Sequence, residues 1–569
     1  MIHRGGAAAA LAVLALWYAA PLIGSPADTP ASRLRNALIL GTAIPFVLAL
    51  LGVFSPIAFA LVLAAVVLAR TIVRRPQSAK IESLPPQVYW MPALIVIALA
   101  WPQIVRPLLD GDSLAYHLPN AAAWMHAHSL WTTTTYYWWY PPASELFAAG
   151  LMAISGPFSL GLAGTGALLL LGFRIAEWSS KFCNPWIAAA LSCATISIPS
   201  MALQAGNLQN DVWLAAFFVE ALWACRFEEP AVCRSIATLS LMKPIGVLSA
   251  AIVQISNART FRIASLACYI PFAVWVVHDA VLAPHAMVHT PHSSLVEVWK
   301  TTIAGQGLLG LQLLAAALAR EGIWTVMIFL SALALTPVFL GRSTAVAGYL
   351  TLIAYLVLPF AYETAVPQLA TGHSLRFLAP LFALGTPALA ASLKRVSPAI
   401  AILPGAVAIW NVWNLVAIFW NDTTVHNTGL ACGVAAAVTV AALIVPARWM
   451  RIPAAMLFVA FVMWAHELAI ANPAPYFNDA VSSNGRRTHF FSWIQTASLQ
   501  RAVVQDLRSG TIDIVAPHTV AYDADKPHAC EQARELAAAL VIGPDAGAYT
   551  GPSCGTIVYS DPLVRVYRP

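Results

Sequence analysis

Two aspartates and a histidine stand directly behind an apolar run. Residues 110 to 119 read Asp-Gly-Asp-Ser-Leu-Ala-Tyr-His-Leu-Pro and follow Val88–Leu109. Ionised groups beside a bilayer are tolerated where they reach water, so Asp110 and Asp112 belong on the aqueous rim of a cavity between helices. An Asp-x-Asp can hold a divalent cation such as Mg or Mn through oxygen ligands, and the sequence leaves a metal open. His117 is placed to hydrogen-bond a substrate or a neighbouring acid, or is simply satisfied beside Tyr116. The aromatic block Tyr136-Tyr137-Trp138-Trp139-Tyr140 before Pro141-Pro142 suits anchoring at a membrane interface, with stacking on a sugar ring as the functional alternative. Glu145 is either a solvated helix start or another acid facing the same cavity.

The elements that must carry these residues are membrane helices. Hydrophobic residues make up 59% of 569, charged residues 10%, and the mean hydropathy is +0.72, which excludes a soluble chain of this size. Continuously apolar runs recur from Ala7 to Ala471, and roughly 13 to 16 transmembrane helices are expected. One run, 146–173, reads as a broken pair, and the last two lie near 429–446 and 453–471. The run near 7–24 reads as a span, with a cleavable signal as the competing reading. We divide the chain into N-terminal helices (1–87), a transmembrane catalytic region (88–471) with a loop at 109–145, and a soluble α/β unit (472–569). The basic segment Arg70–Lys80 places its end of the preceding span in the cytoplasm, and the 109–145 loop then faces the extracytoplasmic side. Within that loop Asp110 should cap a short surface helix, Pro119 should break it, and a second helix should follow through Ala121–Ser129. The net charge of +6 is that of cytoplasmic loops and headgroup contacts, with no sign of a nucleic-acid partner.

Beyond residue 471 the pattern changes to a helix-like stretch at 489–508 and strand-like runs at 512–516, 539–542, 556–559 and 564–567. Cys530 and Cys554 fall in this unit, while the other six cysteines are scattered among the apolar runs. They fit one disulfide in an oxidising compartment, or two free thiols.

An acidic motif in the first large outer loop, an aromatic stretch ending in Pro-Pro, more than ten helices and a small C-terminal unit together resemble the GT-C superfamily of membrane glycosyltransferases. Asp112-Ser-Leu-Ala-Tyr-His-Leu-Pro119 and Tyr140-Pro-Pro-Ala-Ser-Glu145 are similar to segments of bacterial protein mannosyltransferase-like and aminoarabinose transferase-like proteins. So are Asn207-Leu-Gln-Asn-Asp211, Lys243 in Leu-Met-Lys-Pro-Ile-Gly, and Gly372-His373-Ser-Leu-Arg376. The likeness is strongest over residues 88 to about 250. It departs where relatives carry Asp-Glu or Glu-x-Asp and this chain has Asp-x-Asp.

The resemblance implies an inverting transfer of sugar from a polyprenyl-phosphate donor to an acceptor glycan, lipid or protein, at the outer face of a bacterial inner membrane. It makes Asp112 the general base, with Asp110 as alternative, and Tyr116, His117, Glu145, Asp211, Lys243, His373 and Arg376 the substrate-binding set. Arg376 would hold phosphate as a fork and Lys243 as a point charge. Competing structural readings are a headgroup anchor for Arg376 and, favoured here, a helix N-cap for Asp211. A transporter or flippase of a lipid-linked or amphipathic substrate is the alternative from another class. No phosphate-binding Gly-x-x-x-x-Gly-Lys-Ser/Thr loop and no internal repeat supports it. A polymerase or ligase would rely on outer-loop arginines, and none lies between Arg106 and Arg174.

Overall fold

The computed structural model describes residues 5–24, 29–73, 84–105, 110, 112–133, 135, 137–257, 263–285, 299–300, 302–358, 373–419, 426, 428–429, 451–471, 493–494, 496–505, 512, 516, 518–524, 528–542, 554–560 and 564–569. The expected span at 429–446, the basic residues beyond Val73 and the side chain of His373 lie outside them. Helices form the body, because backbone polar groups in hydrocarbon must be satisfied within their own segment. Among the described residues six are long and apolar enough to cross a membrane: Gly5–Leu22, Pro30–Leu50, Gln87–Ile104, Pro157–Ser180, Ser374–Ser392 and Pro398–Phe419. Eight shorter apolar helices accompany them. The chain is an integral membrane protein of all-α architecture with a small C-terminal α/β unit. Helix Gly5–Ala19 packs into the bundle against Arg451–Ala471.

Several expected spans are interrupted, each for a local reason. The run 146–173 is a broken pair, Ala143–Ser155 and Pro157–Ser180, parted at Gly156, whose φ of +71° favours glycine. The run 236–254 divides into Val232–Ser240 and Lys243–Ser256, with Pro244 unable to continue the first helix. In the 109–145 loop the expected break at Pro119 does not occur. A π-type turn, Ser113–His117, runs directly into helix Leu118–Ala127, and Pro119 sits in that helix's first turn. Nor does this helix lie on a lipid surface. Leu118, Ala121 and Trp124 are buried, between helix Ala143–Ser155 on one side and the C-terminal unit on the other.

The C-terminal unit is a five-stranded sheet of β1 (Arg501–Gln505), β2 (Val520–Asp523), β3 (Ala539–Ile542), β4 (Thr556–Ser560) and β5 (Arg565–Arg568), in the order β2-β1-β3-β5-β4. β1 pairs in parallel with β2 and β3, while β5 runs antiparallel to β3 and β4. The expected helix at 489–508 is overturned over 501–505: Val503 and Val504 are buried in a strand flanked on both sides, where β-branched residues pack well. Cys530 and Cys554 are bonded, tying helix Ala529–Glu535 to the chain before β4. Strand β2 packs on helix Leu118–Ala127, so the disulfide-bearing unit and the acidic loop share one face.

Helix Pro56–Ile72 runs away from that face. Its N-terminal approach is tied to the loop, with Phe54 N–H donating to His128 O at 3.0 Å, and Arg70 lies in its last turn. The basic end of this helix is therefore about 25 Å from the loop, at the other side of the bundle. There a second set of charges is buried that the sequence reading passed over. Arg174 donates to Glu220 at 2.6 and 3.0 Å and to Glu177 at 2.6 Å, and Arg35 reaches Glu228 at 2.8 Å and Glu220 at 3.3 Å. Arg35, Arg174, Glu177 and Glu220 are fully buried. Arg174-x-x-Glu177 inside an apolar run was the available signal. The network ties helices Pro30–Leu50, Gly161–Ser180 and Asp211–Phe227, and removing one partner strands the others in low dielectric. Glu220→Gln or Arg174→Met is expected to lower stability by about 3–5 kcal/mol, read as an unfolding midpoint in detergent.

Candidate active site

Four segments converge at the acidic end of the loop. The first is the turn 110–117. Asp110 stands two residues before the N-cap position, which is Asp112's; its Oδ1 accepts from Ser113 N–H at 2.9 Å and from Gln209 Nε2 at 3.3 Å. The second is the polar stretch 204–211 before helix Asp211–Phe227. It is docked on Gly164, where a Cβ would lie 2.4 Å from Gln204 O and 2.5 Å from Asn207 O, so only glycine admits the close approach. Ser113 Oγ completes the join by accepting from Leu208 N–H at 2.9 Å.

The third segment is the helix break at 241–243. Pro141 and Pro142 cannot donate, but their carbonyl side can pair: Lys243 N–H donates to Pro141 O at 3.2 Å, and Ala143 N–H to Leu241 O at 2.8 Å. Lys243 takes φ +51°, a left-handed conformation uncommon for a non-glycine residue and a mark of imposed local geometry. The fourth is the 3₁₀ turn His373–Leu378, which delivers Arg376.

These segments assemble a quartet of charges. Arg376 Nη2 lies 2.6 Å from Asp112 Oδ2, and its Nε lies 3.2 Å from Asp211 Oδ2. Lys243 Nζ donates to Asp211 Oδ1 at 2.9 Å. The Asp211 side chain is fully buried, that of Asp112 29% exposed, and those of Lys243 and Arg376 9%. Asp211 is thus a buried ion-pair residue; it makes no N-cap bond, and the N-cap position belongs to Asn210. Arg376 points into the protein, so the headgroup-anchor reading fails. Its Nη1 is buried without a partner among the described residues.

Next to the quartet, His117 Nδ1 lies 2.6 Å from Glu145 Oε1. Ser144 Oγ donates to Glu145 Oε2 at 2.8 Å and Asn210 Nδ2 to Oε1 at 3.4 Å. Glu145 is therefore an inward acid at 2% exposure and no solvated helix start. Tyr116 packs beside this pair, its ring centroid 4.0 Å from His117, 4.6 Å from Tyr137 and 5.7 Å from Tyr140. The described part of the aromatic block is turned inward: Trp138 is buried, and Asn120 holds the block with bonds to Thr135 Oγ1 at 2.7 Å and Tyr137 O at 3.3 Å. Trp131, ahead of the block, is 40% exposed.

Of the expected residues, Asp110, Asp112, Tyr116, His117, Glu145, Asp211, Lys243 and Arg376 share this region. Asn210, Ser144 and Gln209 were missed as partners, although the polar island Asn207–Asp211 between apolar runs was the signal for two of them. The two acids have different partners. Asp112 is committed to a guanidinium, Asp110 to a backbone N–H, and no group of three or more His, Cys, Asp or Glu among the described residues could hold a metal.

The two aspartates differ in electrostatics. Burial pushes the Asp110 carboxyl up from its ordinary value, against the Ser113 hydrogen bonds. Burial acts in the same direction on Asp112, but Arg376, then Lys243, outweigh it and hold the carboxyl down at about 2. Asp112 is thereby held in its ionised form at neutral pH. Because its folded-state value is depressed, its contribution to stability is complete above the ordinary value of 3.8 and is lost as pH falls toward about 2. Asp112→Asn is expected to destabilise by about 2 kcal/mol at pH 7, with the gap to wild type closing between about pH 4 and 2 in acid-unfolding curves.

No protein-family model and no curated protein matches the sequence. Among solved structures, the chain is similar to ArnT from Cupriavidus metallidurans in two crystal structures, one bound to undecaprenyl phosphate and one in the apo state. The TM-score is 0.47 and the identity 14% in each; the first match covers 84% of this chain and 96% of that one, the second 83% and 95%.

Proposed function

We propose that the protein is a GT-C-type membrane glycosyltransferase, moving a sugar with inversion from a polyprenyl-phosphate donor to an acceptor glycan, lipid or protein at the outer face of a bacterial inner membrane. The observation that carries this reading is the cation pair Arg376 and Lys243, held between two aspartates at the rim of a helical bundle with donor capacity left over. A leaving phosphate gains negative charge in the transition state, and pre-positioned N–H donors in a site of low dielectric stabilise it without reorganisation. Arg376 Nη1 and the two remaining protons of Lys243 Nζ are such donors. Both cations are pinned by ion pairs, so their geometry is set before a donor arrives.

Asp112, facing the cations, suits holding Arg376 in place and countering positive charge at the anomeric carbon better than taking a proton. The aromatic wall of Tyr116, Tyr137 and Tyr140 offers a face for a sugar ring. The outer-face placement is supported by the disulfide on the same side as the loop and by Arg70 at the opposite end of the bundle.

The test is transfer of radiolabelled sugar from polyprenyl-phosphate donors into acceptors in membrane fractions. Arg376→Gln and Lys243→Met are each expected to lower kcat by about 10²–10³. Absence of transfer by the wild type, together with substrate uptake that responds to Asp112→Asn, would replace the enzyme with the transporter.

A further inference from the structure

We propose that the proton released by the acceptor is taken by Nε2 of His117, with Glu145 as its positioning partner; this rests on the transferase reading above. His117 is fully buried, and its Nδ1 is 2.6 Å from a carboxylate oxygen. Glu145 is approached by three donors, from His117, Ser144 and Asn210, the surroundings of an ionised carboxylate that can only accept. The proton on the ring is therefore at Nδ1, and Nε2 carries a free lone pair. That Nε2 is buried with no partner among the described residues.

The comparison within the molecule is His278, which is also buried beside an acid. Its Nδ1 meets Asp279 Oδ1 at 2.9 Å and its Nε2 meets Leu130 O at 2.9 Å, so both nitrogens are satisfied and the ring is structural. A buried acceptor left open is uncommon and calls for a reason. The π-type turn supplies one: its i to i+5 repeat returns His117 toward the face that carries Asp112. Glu145, Asp110, Asp112 and Tyr116 are the titratable groups about the ring, with Arg376 and the rest of the quartet beyond.

The step balances on these groups. The acceptor oxygen or nitrogen bonds to the anomeric carbon, the bond from that carbon to the phosphate oxygen breaks, and its electron pair leaves with polyprenyl phosphate. The acceptor's proton moves to Nε2, and Glu145 stabilises the imidazolium. The proton then passes to the departing phosphate or to water, which restores the neutral ring.

His117→Asn retains a donor toward Glu145 but has no base. It is expected to lower kcat by about 10²–10⁴, leave KM for the donor lipid unchanged, and abolish the acid limb of the kcat/KM profile in the radiolabel assay. Glu145→Gln is expected to move that limb to lower pH, an effect that loss of packing alone would not produce, and it carries the test should His117→Asn not fold. Wild-type transfer with a His117→Asn kcat within threefold, or with either variant's acid limb unchanged, overturns the proposal and leaves the transferase reading standing. If the wild type transfers nothing, both fall.

Discussion

Arg376 lying between Asp112 and Asp211 is the interaction on which the rest of the site depends. A guanidinium inside a helical bundle is stable only when its charge is matched close by, and an aspartate at the same depth has the same need. The match requires that the acidic loop, the start of helix Asp211–Phe227 and the 3₁₀ turn before Ala379–Ser392 meet at one point. Lys243 adds the fourth charge from a helix break, with its backbone in a conformation that no local preference supplies. The electrostatic requirement thus selects the tertiary arrangement, and the arrangement leaves two cations facing the acidic loop with hydrogen-bond capacity to spare.

Helix Asp211–Phe227 connects this quartet to the deeper charge network. Asp211 lies at one end and Glu220 nine residues on, roughly 13 Å along the axis, with Trp213 stacked on Phe217 between them. The two buried charge groups have different characters. Around Arg174 and Glu220 short contacts join three helices, which makes for rigidity. Around Arg376 and His117 several donors and acceptors remain open, which is the condition for binding something else. Strand β2 of the C-terminal sheet packs on Leu118–Ala127, the helix that continues directly from the turn ending in His117.

The membrane class, the C-terminal α/β unit and nearly every charged residue of the site were legible in the sequence. A carboxylate, lysine or arginine in an apolar run is conspicuous because its burial is so unfavourable. The expected strands 539–542, 556–559 and 564–567 were legible because strand and turn residues alternate there. Partnership was not legible. Asp211 beside Asn210 has the local look of a cap, and Arg376 at the start of a span has that of an anchor; only an ion pair across 165 residues of sequence decides otherwise. Residues 501–505 read as helix because strand pairing with β2 and β3 is a long-range matter.

By itself, the sequence determined that the chain is built of membrane helices and that a few ionisable groups must sit where apolar solvent forbids them. Hydropathy and charge are properties of residues, and they act wherever the chain goes. Tertiary structure alone decided that Pro119 continues a helix, that Asp112 is tied to a guanidinium while His117 keeps a nitrogen open, and that Arg35 and Arg174 serve the far side of the bundle. Those outcomes depend on distances of 2.6 to 3.3 Å between segments remote in sequence, and such distances exist only once the helices have packed.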